Sequence, residues 1–316
     1  MKKPLVSYIF PIFNESGNIA LLYQTLTELL AKHDTEYDFE FIFINDGSRD
    51  NSLELLVALQ RRDSRVMVID LSRNFGHQIA VTAGLDHARG DAVIIMDSDL
   101  QDPPAVSLEL LAKWRQGYEV VYAQRRTRKD GFFKQLTARW FYIVLDKLTD
   151  LRIPRDTGDF RLMDRRVVDE LVKFREHSRF IRGLVSYVGF RQTAVLFDRD
   201  ERHAGTTGYP LGKMIDFAID GLLSSSSYPL RLMSQVGFGF AAISFIGIIY
   251  IVVLHIFWPQ VTVPGWTMIV VSILLIGGLQ TIMLGVLGEY LSRVFTEVQN
   301  RPLYIVARVY SNQKER

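Results

Sequence analysis

The chain is predicted to be an α/β protein: a mostly parallel sheet domain, then amphipathic interface helices and two transmembrane helices. Three observations predict it. Apolar strand-like runs alternate with helix-periodic stretches over the first hundred residues. Each run ends abruptly in a polar or acidic cluster. No Asp, Glu, Lys or Arg occurs from Leu232 to Gly288, although charges are dense before Arg231. Strand and helix in alternation mean βαβ units and a parallel sheet, and a long uncharged stretch means membrane.

Val6 to Phe13 reads as the first strand, stopped by Asn14-Glu15-Ser16-Gly17. Ile19, Leu22, Leu26, Leu29 and Leu30 then fall at helical spacing over Asn18 to Lys32, after a turn rich in N-capping residues. A second strand, Phe39 to Ile44, ends in Asn45-Asp46-Gly47-Ser48. Helix Ser52 to Arg62 follows it. Strand Val66 to Leu71 runs into Ser72-Arg73-Asn74-Phe75-Gly76-His77, and a helix from Gln78 to Ala88 leads to the central strand. In such sheets ligands bind outside the carboxyl ends of the strands. The clusters at Asn14-Glu15, Asp46, Arg73-Asn74 and Asp97/Asp99 all fall at such ends.

The central strand, Val93-Ile94-Ile95-Met96, stops in Asp97-Ser98-Asp99-Leu100-Gln101-Asp102-Pro103-Pro104. Residues two apart on an extended backbone face the same way, so Asp97 and Asp99 repel unless a cation sits between them. A hard divalent ion, Mg²⁺ or Mn²⁺, suits one or two carboxylates and leaves positions for phosphate oxygens. There is no G-x-G-x-x-G after the first strand and no G-x-x-x-x-G-K-[ST], so neither a dinucleotide fold nor a P-loop is supported.

Later segments carry less pattern. Glu119 to Arg126 is a further strand. Gly131 to Leu148 is an amphipathic helix mixing Phe132, Trp140 and Tyr142 with Lys134 and Arg139, a composition suited to a membrane interface or to domain packing. Arg155 to Met163 reads as a polar turn entering a short apolar segment, with Asp156 and Asp159 free to act in a site or to cap a helix near Arg165 to Phe174. Arg199 to Tyr209 reads as a loop able to close over phosphates.

Leu232 to Trp258 and Trp266 to Leu287 are each longer than the roughly 20 residues a bilayer needs. Trp258 and Trp266 mark one interface. Arg231 before the hairpin, and Arg293, Arg301, Arg308, Lys314 and Arg316 after it, put both flanks in the cytoplasm by the positive-inside rule. The expected organisation is a catalytic domain over 1–208, an amphipathic juxtamembrane segment over 209–231, a transmembrane hairpin over 232–288 and a cytoplasmic tail over 289–316. The lipid bilayer is therefore a partner. A net charge of +2 without a basic run does not suggest nucleic acid, and the absence of cysteine removes disulfides and thiolate sites.

The motifs Phe10-Pro11-Ile12-Phe13-Asn14-Glu15, Asn45-Asp46-Gly47-Ser48, Ser72 to Gly76, Asp97 to Pro104 and Gly158-Asp159-Phe160-Arg161-Leu162 together resemble the inverting polyprenyl-phosphate glycosyltransferases. These are relatives of dolichol-phosphate mannose synthase with a GT-A fold. Gly285 to Leu291 and Arg301-Pro302-Leu303-Tyr304-Ile305 are similar to the two-span bacterial branch, which includes the bactoprenol (undecaprenyl-phosphate) glucosyltransferases of O-antigen modification. The resemblance implies a membrane enzyme of the bacterial inner membrane, with a nucleotide-sugar donor, UDP-glucose by branch, and a polyprenyl phosphate acceptor. It implies a nucleoside pocket lined by Pro11, Phe13, Glu15, Ile44 and Asp46, with Ser98 beside Asp97. It implies metal ligation by Asp97, Asp99 and Gln101, phosphate contacts from Arg125 and Arg202, and Asp159 beside the acceptor. Gly208 stands where the family commonly has Lys after Gly-x-Ser/Thr, so either Lys213 supplies that charge or the diphosphate is held more weakly. A homo-oligomer in the membrane is a further expected partner, although no sequence feature sets the oligomeric state. A processive polysaccharide synthase would carry Q-x-x-R-W, and Gln135-Leu136-Thr137-Ala138-Arg139-Trp140 has a spacer one residue too long. Transfer of another sugar to the same lipid is one alternative, and a membrane-tethered nucleotide-sugar-binding protein without catalysis is the alternative from another class.

Overall fold

Alternating apolar side chains that must be buried on both faces dictate a sheet covered by helices above and below, and the computed structural model has that arrangement. It describes residues 3–126, 157–198 and 266–312, with scattered positions between 235 and 257. The strands are β1 (Leu5–Ile12), β2 (Asp38–Asn45), β3 (Val66–Leu71), β4 (Ala92–Ile95), β5 (Val120–Arg125), β6 (Thr157–Asp164), β7 (Gln192–Phe197) and β8 (Val306–Tyr310). They form one sheet in the order β7-β5-β6-β4-β1-β2-β3-β8. The β3-β2-β1-β4 core is parallel, β6 runs antiparallel to β4 and β5, and β8 closes the β3 edge antiparallel.

The helices are α1 (Ser16–Leu30), α2 (Ser52–Arg62), α3 (His77–His87), α4 (Val106–Arg115), α5 (Arg165–Leu171), α6 (Ile181–Val188) and α7 (Trp266–Val298). Strand alternation sorts the core into two layers. Tyr8, Phe10 and Ile12 of β1 pack with Leu22 and Leu26 of α1, Leu56 of α2 and Leu110 of α4. Ile9, Ile42 and Ile44 face the other way, against Ala80 and Val81 of α3, Val167 of α5 and Leu184 of α6.

One expectation is corrected here. Thr157 to Asp164 is an eight-residue strand rather than a turn, because Asp159 and Arg161 are buried in the centre of the sheet instead of facing water. The cap of α5 is Asp164, whose side chain accepts from the Arg166 N–H at 3.1 Å. The tail after α7 contains β8.

The chain divides into two compact units, one of residues 1–215 with 301–316 and one of residues 216–300. In the second, α7 is a 33-residue helix. Its Leu275–Val298 part is, among the described residues, the one segment long and apolar enough to cross a membrane, with mean hydropathy 1.3. Ile273, Ile282, Leu284, Leu287 and Leu291 on it are exposed. The expected helix 131–148, the loop 199–209 with Arg202, Lys213, the segment 210–230 and most of the first span lie outside the described residues.

Candidate functional site

The pairing of the central strands decides which acids meet. Ile95 of β4 lies opposite Arg161 of the antiparallel β6. Continuing that register by two residues past the end of the ladder brings Asp97 level with Asp159. The two carboxylates are bridged by His77, the first residue of α3. Its Nε2 is 3.1 Å from Asp159 Oδ2 and 3.8 Å from Asp97 Oδ1.

Asp159 is buried and heavily bonded. Gln78 donates to Oδ2 at 3.1 Å, and Arg182 of α6 donates from Nε to Oδ1 at 2.7 Å and from Nη2 to Oδ2 at 3.3 Å. Burial alone would raise the pKa of this carboxyl. The His77 hydrogen bond and the Arg182 guanidinium outweigh it and hold the group well below the ordinary carboxylate value. For His77, burial opposes the charged form, but the bond to Asp159 and the charges of Asp97 and Asp159 win and push its pKa up. Asp97 moves in the other direction from Asp159. Burial raises its pKa, His77 opposes that, and the neighbouring Asp159 and Asp99 charges raise it further.

Asp97 Oδ1 is buried and makes no hydrogen bond among the described residues. Asp99 lies two residues on, with Oδ1 accepting from the Gln101 N–H at 3.1 Å. The intervening Leu100 has φ +58°, which turns the chain so that this short loop folds back on itself. The unsatisfied Asp97 Oδ1 lies near the charges of Asp159 and Asp99, and carboxylate oxygens are the kind of ligand that a hard divalent cation takes. Among the described residues no group of three or more His, Asp or Glu side chains is placed to hold a metal ion. Oxygens from a bound ligand would therefore have to complete the coordination.

On the β2 and β3 side of the same rim lies a cavity of about 450 Å³ between Phe13, Ser48 and Arg49 on one wall and Asp70, Ser72 and Arg73 on the other. Of the residues expected to line a nucleoside pocket, Phe13 lines this cavity and is 44% exposed. Ile44 does not. Its side chain is fully buried on the α3 face of the sheet, as strand alternation requires. Asp46 is buried too, with Oδ1 accepting from Phe75 N at 2.7 Å and Oδ2 from Gly76 N at 2.9 Å. It braces the Ser72–Gly76 loop. Glu15 accepts from Asn18 at 2.6 Å beside the start of α1, and Pro11 offers its carbonyl to Ser98 Oγ at 3.4 Å. Arg125 reaches the rim, its Nη2 lying 3.6 Å from where a Cβ on Gly158 would stand.

The sequence pattern of "Glycosyl transferase family 2" matches residues 7–172, which contain this whole rim. The chain belongs to that family. An uncharacterized glycosyltransferase of Bacillus subtilis (strain 168), YkcC, is 47% identical over 98% of this chain and 95% of its own. A prophage bactoprenol glucosyl transferase homolog of Escherichia coli (strain K12) is 40% identical over 96% of this chain and 99% of its own. The bactoprenol glucosyl transferase of Shigella phage SfII is 40% identical over 96% and 97%. Among solved structures, mannosyl-3-phosphoglycerate synthase from Rubrobacter xylanophilus is 16% identical, covering 74% of this chain and 75% of that one with TM-score 0.49. The sheet of this family 2 member is GT-A-like: an α/β layer whose parallel core presents its carboxyl ends on one rim.

His77, Gln78 and Arg182 were not singled out by sequence reasoning. His77 had a visible signal, since it closes the polar cluster after β3. Arg182 had none, being one basic residue at the start of a short helix.

Proposed function

We propose that this glycosyltransferase moves a glucosyl group from UDP-glucose, with inversion, to a polyprenyl phosphate at the cytoplasmic face of a bacterial membrane. One observation carries the reading: carboxylates from separate strands, Asp97 and Asp99 after β4 and Asp159 in β6, come to the same carboxyl rim of the sheet, which bears a cavity on its β2–β3 side. The acceptor and the sugar are supported by the names of relatives about 40% identical over nearly the whole chain. The exposed apolar face of α7 supports a membrane location.

In this reading the base and ribose lie along the Phe13 side of the rim, and the diphosphate extends toward Asp97 and Asp99. Mg²⁺ or Mn²⁺, held by Asp97, Asp99 and Gln101, would neutralise charge developing on the leaving diphosphate. Arg125 and Arg202 are the side chains assigned to the phosphates. The nucleophile is an acceptor phosphate oxygen. Its second pKa of about 6 leaves it mostly deprotonated at neutral pH, so no strong base is needed. Asp159, kept ionised by Arg182 and His77, is suited to orienting groups around the sugar, because a carboxylate so strongly stabilised is a poor proton acceptor.

The test is transfer of radiolabel into the organic phase from a panel of nucleotide sugars, with undecaprenyl phosphate and Mg²⁺ or Mn²⁺. Label from UDP-glucose alone supports the reading. Label from another donor replaces the sugar, and lipid-stimulated label from none ends it.

A further inference from the structure

The Ser72–Gly76 loop forms one wall of the rim cavity, and it is held at both ends by residues far away in sequence. At its far end, Asp46 accepts from Phe75 N and Gly76 N. At its near end, the partner is the C-terminal tail. β8 pairs Asp70 with Arg308 and Leu71 with Val306, with a register shift between them, and Ser72 N donates to Ile305 O at 2.9 Å. Three consecutive lining residues, Asp70, Leu71 and Ser72, thus have the tail as their outer neighbour.

The tail is itself fastened. Tyr304 donates its hydroxyl to Asp86 Oδ2 at 2.7 Å, and Arg175 Nη1 reaches the same oxygen at 2.8 Å. His177 Nε2 lies 3.0 Å from the carbonyl of Arg301. Tyr304 and Val306, like Phe75 of the loop, pack onto the α3-side core. Asp86 belongs to α3, the helix that begins where the loop ends. Without the tail, β3 would be an open edge strand, and such edges fray with low local stability.

From this placement we infer that segment 301–312 is a working part of the donor site, with Tyr304 and Asp86 as positioning residues that set its affinity for a nucleoside diphosphate. The inference rests on the donor-nucleotide reading of the rim. An ordered wall binds its ligand without first being ordered, so unfastening the tail weakens donor binding and spares the transfer step.

The experiment measures UDP and GDP binding in the presence of Mg²⁺, and transfer kinetics, for the full chain, Tyr304→Phe, Tyr304→Ala and a chain ending at Asn300. Tyr304→Ala is expected to weaken nucleotide binding about fivefold with kcat changed less than about twofold, and Tyr304→Phe to fall between it and the full chain. The shortened chain should bind at least as weakly as Tyr304→Ala, and a peptide of residues 301–316 added in trans should restore binding. Unchanged binding in Tyr304→Ala, or a fall in kcat at unchanged affinity, overturns the inference while leaving the functional reading intact. If the shortened chain melts prematurely, the Tyr304 variants decide. Failure of the full chain to bind either nucleotide overturns both.

Discussion

Arg182 grips Asp159 with two nitrogens, Nε on Oδ1 at 2.7 Å and Nη2 on Oδ2 at 3.3 Å. The pair lies where β6 meets α6, and Asp159 is 6% exposed. A buried carboxylate in such a fork is held as an anion, and removing the fork leaves only His77 and Gln78 to compensate its charge. Arg182→Ala should therefore lose about 3 kcal/mol of stability. Arg182→Lys, which keeps the charge but not the planar fork, should lose less. Denaturant unfolding of the three proteins checks the order.

The same pair makes a kinetic prediction. Asp159 is already ionised across the working range, so the acidic limb of kcat/KM should follow the acceptor phosphate near its second pKa of about 6. Asp159→Asn should lower kcat by about tenfold while that limb stays in place. If the limb disappears in Asp159→Asn, the carboxylate is the base after all. pH–rate profiles of both proteins distinguish the outcomes.

Asp99→Ala should reduce transfer by about three orders of magnitude, the scale for losing charge stabilisation of a leaving group. It removes one of two adjacent carboxylates beside the unsatisfied Asp97 Oδ1. EDTA should abolish wild-type transfer, and added Mg²⁺ or Mn²⁺ should restore it. Activity that survives exhaustive chelation would remove the metal from the reading.

Away from the rim, Asp63 gives a clean pH test. It follows α2 and accepts from the N, Nε and Nη2 of Arg65, and Tyr23 donates its hydroxyl to it. Burial raises its pKa, but the Arg65 and Tyr23 hydrogen bonds outweigh that and hold it low. A carboxyl depressed in the folded state stabilises above its unfolded pKa of about 3.9 and loses that contribution as pH falls through the folded value. Wild type should melt above Asp63→Asn at pH 7, and the gap should shrink below about pH 4.

How much of this was legible beforehand depends on how local the signal was. β3 at Val66–Leu71 and α2 at Ser52–Arg62 have the bounds their apolar patterns predict. Asp46, Asp97 and Asp99 were legible because each follows an apolar strand. β6 was not, since Asp159 and Arg161 interrupt its apolar pattern and are tolerated only through partners elsewhere. The Arg161 guanidinium is pulled down to about 10 by burial, with Asp159 opposing the shift. Arg182 and the role of β8 were hidden for the same reason. Each matters through a neighbour brought close by the fold, and no periodicity in the chain records such a neighbour.

Gly47 and Gly76 offer a last comparison at the rim. Both have positive φ, +66° and +97°. At Gly76 a Cβ would meet nothing within 4 Å, so Gly76→Ala carries only the backbone cost, about 1–3 kcal/mol for its φ/ψ region. At Gly47 a Cβ would stand 2.5 Å from Asn74 N and 2.6 Å from Arg73 C. Those are backbone atoms and cannot swing aside, so the cavity wall itself has to move. Gly47→Ala should destabilise more than Gly76→Ala, although its φ is the less extreme, and it should weaken nucleotide binding by at least about tenfold because Arg73 and Asn74 line the cavity. Melting curves and UDP titrations on the two variants test the ranking. Equal losses would mean that the β2–β3 loop contact is softer than its geometry implies.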